Sequence, residues 1–493
     1  MFIQINLFPA TQINQSGEVR IKHSLNKNEE EFVARRRNTV LQCLQKFNIH
    51  CSQDKVPNIA LLGSGGGQRA MVGLLGSLVE LNKAGLLDCI LYLSGVSGST
   101  WCMASLYKEP DWSTKLDTVK DKIIERLSGE RVTWTDTLAK LKKYYYGKDF
   151  FSLTDVWAAM FVTSFVKEIN EHTLTDTWKE DSKDPFPIYA VIDKHCKQSE
   201  EGDPWFEINP YEAGYSLTGA FVDASNFGSQ FHEGSKKNHQ DEFDMLYLQA
   251  VCSSALADEV EIWKWIKDEC YQVLKDLVDM NLAVLEGTDP SALDQSIKTT
   301  LNDISGGQVQ VFCDIGSLDV IDGDKKADMR QYTMDVCNYF SAKLKHKWPL
   351  NLLTSICECM SQWIWGRNYN FLHKMADEAV PTALLQNETR DYIDAGLLNN
   401  SPYFSVLREK RGIDLIISLD FSEGDPFTTV KETAKTCKKL NIPFPEVNIP
   451  SEDVEKPKDF YVFKGQNAPT VIHIPLFNVV NCGGKLTSFS HPE

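Results

Sequence analysis

Asn58-Ile-Ala-Leu-Leu-Gly63-Ser-Gly-Gly-Gly-Gln-Arg69 decides how the chain is read. A short apolar run ends abruptly in glycines, and Gln68 to Lys83 then follows helical spacing. The order repeats at once. Ile90-Leu-Tyr-Leu93 is a second apolar run, Gly95-Val-Ser97-Gly98-Ser99 a turn of small residues, and Thr100 to Tyr107 a helix. Strand, turn and helix in alternation is the rhythm of a parallel sheet joined by crossover helices.

Outward from this core the signal thins. Upstream, Asn28 to Phe47 reads as an amphipathic helix, with Phe32, Val33, Val40, Leu41, Leu44 and Phe47 near helical spacing. The first 26 residues are polar and read as a loosely ordered arm. Residues 108 to 340 show mostly helical patterns with Trp and Tyr clusters, and Glu286 to Lys326 reads as loops. An insertion of that length between catalytic segments is expected to form a cap or lid. Strand signals return at Leu415-Ile-Ile-Ser-Leu419 and Thr470-Val-Ile-His-Ile474.

Composition narrows the function. The 493 residues are 42% hydrophobic and 24% charged, with a formal charge of −17. That is globular, and it lacks the basic face of a nucleic-acid binder. The short basic runs Arg35-Arg36-Arg37 and Lys343 to Lys347 read as solvated helix faces. Thirteen cysteines, an odd number with no C-x-x-C pair, read as free thiols in a reducing compartment. Met1 to Gly17 lacks the charge and apolar core of a signal peptide. No apolar run approaches the ~18 residues that span a bilayer, so membrane contact is expected to be peripheral.

Two turns carry the chemistry. Gly63-Ser-Gly-Gly-Gly-Gln-Arg69 departs from a dinucleotide fingerprint at Gln68, and no Lys follows as in a P-loop. An oxyanion hole and a plain structural turn both remain open. Arg69 adds a cation suited to a phosphate. Gly95-Val-Ser97-Gly98-Ser99 resembles a nucleophile elbow with Ser in the last place, and the helix after it favours an oxyanion. A serine nucleophile needs a base. His373, His473 and Asp394 are candidates. His473 lies inside the apolar run Val471 to Leu476 and reads as a strand histidine, while Asp394 needs burial to become a useful base. Spacing does not choose between them.

Gly63-Ser-Gly-Gly-Gly-Gln-Arg-Ala-Met71, Leu93-Ser-Gly-Val-Ser-Gly-Ser-Thr-Trp101 and Ile393-Asp-Ala-Gly-Leu397 together resemble the catalytic domain of cytosolic (group IV) phospholipases A2. Phe206-Glu-Ile-Asn-Pro-Tyr211 and Asp414-Leu-Ile-Ile-Ser-Leu-Asp-Phe421 agree with it, and the likeness is greatest to the gamma type, which lacks a C2 domain. The resemblance implies a patatin-like three-layer α/β/α core with a mainly helical cap at about 108–340, in a catalytic domain spanning 27–493. It implies a Ser97–Asp394 dyad without histidine, oxyanion donors at Gly66 and Gly67, and phosphate contacts from Arg69 and Arg411. No cofactor, metal or calcium is expected. The expected substrates are phospholipids or lysophospholipids, met in the cytosol and reversibly at intracellular membranes. Transfer of the acyl group to a lysophospholipid is the alternative reaction, and a catalytically inactive lipid-binding protein the alternative class. The chain ends Ser490-His-Pro-Glu493, without the C-a-a-X box common in the gamma type. It also stops soon after Asn481-Cys-Gly-Gly484, where the family usually continues.

Overall fold

The computed structural model describes residues 19–199, 201–257, 259–260, 262–264, 272–290, 292–297, 299, 325–343 and 350–476. Most of the run expected as loops up to Lys326, the 344–347 part of the second basic run, and the chain end lie outside these residues.

A mixed sheet of twelve strands organises the molecule. Its parallel centre is built from β2 (Ile59–Gly63), β3 (Tyr92–Gly95), β4 (Phe186–Asp193), β9 (Leu415–Asp420) and β11 (Thr470–Pro475), and β10 (Tyr461–Phe463) closes one edge antiparallel. Beyond β4 the sheet turns antiparallel through β5 (Trp205–Ile208), β6 (Glu212–Tyr215), β7 (Ala220–Asp223) and β1 (Val19–Ile21). β8 (Thr389–Asp394) pairs antiparallel with the far end of β4.

The central strands are continuous apolar runs because both faces are covered. From β2, Ala60 and Leu62 pack with Phe32 of helix α1 (Lys27–Lys46) and Val430 of a late helix, Thr428–Leu440. Leu61 turns to the other face and meets Leu74 and Leu78 of helix α2 (Gly67–Lys83). Asn26 caps α1 by accepting from the Asn28 N–H, and Glu29 and Glu30 occupy its first turn, where the helix dipole favours acids. Helix α3 (Gly98–Tyr107) follows β3 and is buried all round.

Three expectations change. Residues 19–21, read as part of a loose arm, add an edge strand whose Arg20 is ion-paired to Glu212. The span 108–340 is not one inserted body, because 186–223 supplies four strands of the main sheet. Of the arginine triplet only Arg35 is an exposed side chain. Arg36 is buried and donates to the carbonyls of Ile90 and Lys183, and Arg37 donates to Asn58. Ten cysteines among the described residues are free thiols. No described helix is long and apolar enough to cross a membrane.

Candidate active site

Two strands end side by side, and their turns touch. β2 and β3 run in register to Gly63 and Gly95. The glycine turn after β2 and the serine turn after β3 therefore meet at one edge of the sheet. Ser97 sits at φ 51°, ψ −123°, a conformation that non-glycine residues rarely adopt. The next residue must be glycine. A Cβ on Gly98 would lie 1.9 Å from the Gly67 carbonyl oxygen. The Ser99 hydroxyl donates to the Ser64 carbonyl at 2.6 Å, and the Val96 N–H to the Gly63 carbonyl at 3.1 Å. These bonds lock the two turns together and lift Ser97 above the strand end.

Gly66 and Gly67 carry positive φ values of 150° and 57° and begin α2. Among the described residues, their N–H groups donate to no partner. Free donors at a helix N-terminus form a site for negative charge. Arg69 lies one turn on. Its Nε donates to the Phe421 carbonyl at 3.1 Å, and its terminal nitrogens make no hydrogen bond or ion pair among the described residues.

Asp394 ends β8 and is fully buried. Its Oδ1 accepts from the Gly396 N–H at 2.7 Å and its Oδ2 from the Ala255 N–H at 3.3 Å, and the Ser97 side chain lies close enough to favour its charged form. No cation pairs with it among the described residues. Burial therefore dominates and pushes its carboxyl up to about 7, against the smaller opposing pull of the Gly396 and Ala255 N–H groups and of the nearby Ser97 side chain.

The geometry thus brings together Ser97, Asp394, Gly66, Gly67 and Arg69. It does not bring Arg411 to them. Arg411 is buried under the α1 side of the sheet, beside Asn58 at the start of β2. Its five N–H donors reach Glu29 at 2.8 and 3.2 Å, Glu207 at 2.7 and 2.9 Å, and the Ser405 carbonyl. None remains for a phosphate, so the contact implied for Arg411 is replaced by a structural ion cluster. His473 is buried in β11, where its Nε2 lies 2.7 Å from the Pro426 carbonyl and 3.9 Å from Asp420. His373 pairs with His232, with ring centroids 5.5 Å apart.

One element was missed. The turn Ser254–Leu256 supplies the Ala255 N–H and the Ser254 hydroxyl, which accepts from the Asp394 N–H at 3.0 Å. Leu256 lies over the glycine turn, 3.4 Å from where a Cβ on Gly67 would sit. Nothing in its sequence spacing linked this turn to Asp394.

Comparison with known proteins gives the family and the fold. A family model described as the lysophospholipase catalytic domain matches residues 59–326. The chain is 33% identical over 498 residues to human cytosolic phospholipase A2 gamma, covering 96% of this chain and 89% of that protein. It is 32% identical over 525 residues to the mouse protein of the same name, covering 94% and 84%. The solved structure of human GIVD cytosolic phospholipase A2 superposes with a TM-score of 0.66 at 22% identity, over 93% of this chain and 56% of that one. The fold and the site define an α/β lipid ester hydrolase. The chain belongs to the cytosolic phospholipase A2 family.

Proposed function

We propose that the chain hydrolyses fatty acyl esters of glycerophospholipids and lysophospholipids through a Ser97–Asp394 dyad and an acyl-serine intermediate. The observation that carries the reading is a fully buried carboxyl at the end of β8, beside the Ser97 side chain and pushed by burial up to about 7. A carboxyl with that value is half ionised at neutral pH and suited to general-base work. Asp394 takes the Ser97 proton as Oγ attacks the ester carbonyl. The carbonyl oxygen becomes an oxyanion, which the Gly66 and Gly67 N–H groups stabilise together with the α2 N-terminus. The intermediate collapses, and protonated Asp394 returns its proton to the leaving lysophospholipid or glycerophosphodiester oxygen. Asp394 then deprotonates the water that attacks the acyl-serine and returns that proton to Ser97 Oγ as the acyl–oxygen bond breaks, and the fatty acid leaves.

The unengaged end of Arg69 suits the substrate phosphate. Leu256, Leu397 and Leu398 are about 40% exposed and flank the base, which supports peripheral contact of this edge with a lipid surface. Every group in the scheme is a side chain or a backbone N–H, so a calcium chelator is expected to leave turnover unchanged. The test is Ser97→Ala. It should lose hydrolysis by ~10⁶-fold together with fluorophosphonate labelling. Activity within tenfold of wild type overturns the proposal.

A further inference from the structure

Catalysis by backbone N–H groups depends on their direction, and a run of glycines has no side chains to hold it. Something outside the glycine turn must therefore fix it. We infer that Asn400 is a positioning residue that locks the oxyanion turn onto the segment carrying the base. The inference rests on the hydrolytic reading above and deepens it.

The contact is reciprocal. The Gly65 N–H donates to the Asn400 carbonyl at 3.1 Å, and the Asn400 side-chain amide donates back to the Gly65 carbonyl at 3.2 Å. The second amide hydrogen goes to the Ser422 hydroxyl at 2.8 Å, so neither hydrogen is spare and the side chain is held in one orientation. Ser422 adjoins Phe421, whose N–H donates to Ser64 at 2.6 Å and whose carbonyl receives Arg69. The glycine turn is thus gripped from both ends through one strand terminus.

Oδ1 of Asn400 fills the slot between the two functional turns. A Cβ on Gly65 would lie 2.2 Å from it, and a Cβ on Gly396 2.8 Å from it. The Gly65 position is also 2.9 Å from the Ser97 Cβ, and the Gly396 position 3.1 Å from Asp394 Oδ1. Asn400 lies six residues after Asp394 in the chain. One loop therefore holds the base and also sets the direction of the donors. The neighbouring Asn399 does neither. It is buried and points to Thr429 at 3.3 Å and Thr433 at 2.8 Å, in the helix Thr428–Leu440.

The test compares these two asparagines on a soluble monomeric ester. Asn400→Asp keeps the shape and removes both donors, while Asn400→Ala removes the whole side-chain half of the contact and leaves only the backbone bond from Gly65. Each is expected to lower kcat by ~10²-fold, the scale of losing one oxyanion donor, with KM within threefold of wild type. The rate of fluorophosphonate labelling falls in proportion. Asn399→Ala lowers the melting temperature and leaves kcat within threefold. A kcat within threefold of wild type in folded Asn400→Asp overturns the inference, as does a rise in KM with kcat unchanged. If neither Asn400 variant folds, Ser422→Ala decides, because it removes only the outer anchor. A fivefold or greater fall in kcat supports the inference, and no fall overturns it. Ser97→Ala runs alongside. Its survival as an active enzyme would sink the dyad, whereas loss of the Asn400 effect alone would leave the dyad standing.

Discussion

Two of the places where the molecule buries carboxylates treat them in opposite ways. Under the α1 side of the sheet, Glu29, Glu207 and Glu212 are buried among Arg20, Arg408 and Arg411. Burial alone would raise the Glu207 carboxyl, but Arg411 and Arg408 more than offset it and hold it at about 2. At the strand ends, Asp394 is buried with hydrogen bonds and, among the described residues, no paired cation, and it rises to about 7. Glu207, held by two arginines, stays ionised and ties elements together. Asp394, raised beside Ser97, stands ready to exchange a proton. The same desolvation cost serves structure in one region and chemistry in the other.

The linkage signs differ accordingly. Glu207 is depressed from the usual 4.5, so its contribution to stability is present above that value and is lost as pH falls toward 2. Asp394 is raised from the usual 3.8, so its charge weakens the fold above about 7, and the penalty lifts as the folded state takes up a proton below that value.

The contrast breaks most sharply at Asp394. Asp394→Asn keeps the shape and cannot accept a proton. It should cost ~10⁴-fold or more in kcat, by analogy with loss of the carboxylate in a serine triad. It should also raise the melting temperature at pH 8, with the gap to wild type closing as pH falls below 7. A melting temperature lower than wild type at pH 8 would mean that the carboxylate supports the fold. Arg411→Ala is expected to act on the other side of the comparison. It leaves Glu29 and Glu207 without their main partner and should cost about 3–5 kcal/mol of stability in a denaturant titration. Loss of activity at unchanged stability would return Arg411 to the substrate. Arg69→Ala should lower phospholipid turnover by ~30-fold while sparing a neutral ester, as expected for one charge-assisted contact of about 2 kcal/mol. Equal losses on both would assign Arg69 to the fold through Phe421. His473→Gln, in rate assays on protein first checked by thermal melt, should leave kcat within threefold.

The parallel core was legible because its strands are short apolar runs punctuated by glycine and serine. Expected and observed bounds of β2, β9 and β11 differ by a residue at most. β4 was missed. Phe186-Pro-Ile-Tyr-Ala-Val-Ile-Asp193 has no glycine turn after it, and it lies within a stretch of helical spacing. The antiparallel strands after it are only four residues long, too short for periodicity to register. In the site, Ser97 and the glycine turn announced themselves through local backbone demands. Asp394 needed the family resemblance, because what sets it apart is burial, and burial is a property of the fold. Arg411 misled for the same reason, since its partners Glu29 and Glu207 lie hundreds of residues away in the chain. Ala255 acts through a backbone N–H that every residue has, and Ser254 and Asn400 act through common polar side chains whose partners only the fold brings near, so residue type alone could not mark them.

The claim that buried Asp394 is the base is tested most directly by the pH dependence of kcat/KM on a soluble ester, measured for wild type and His473→Gln together. The account predicts activity rising through a single acid limb near 7, at the same position in both proteins. A limb that disappears in His473→Gln, or one that falls near the ordinary carboxylate value of 3.8, would contradict it.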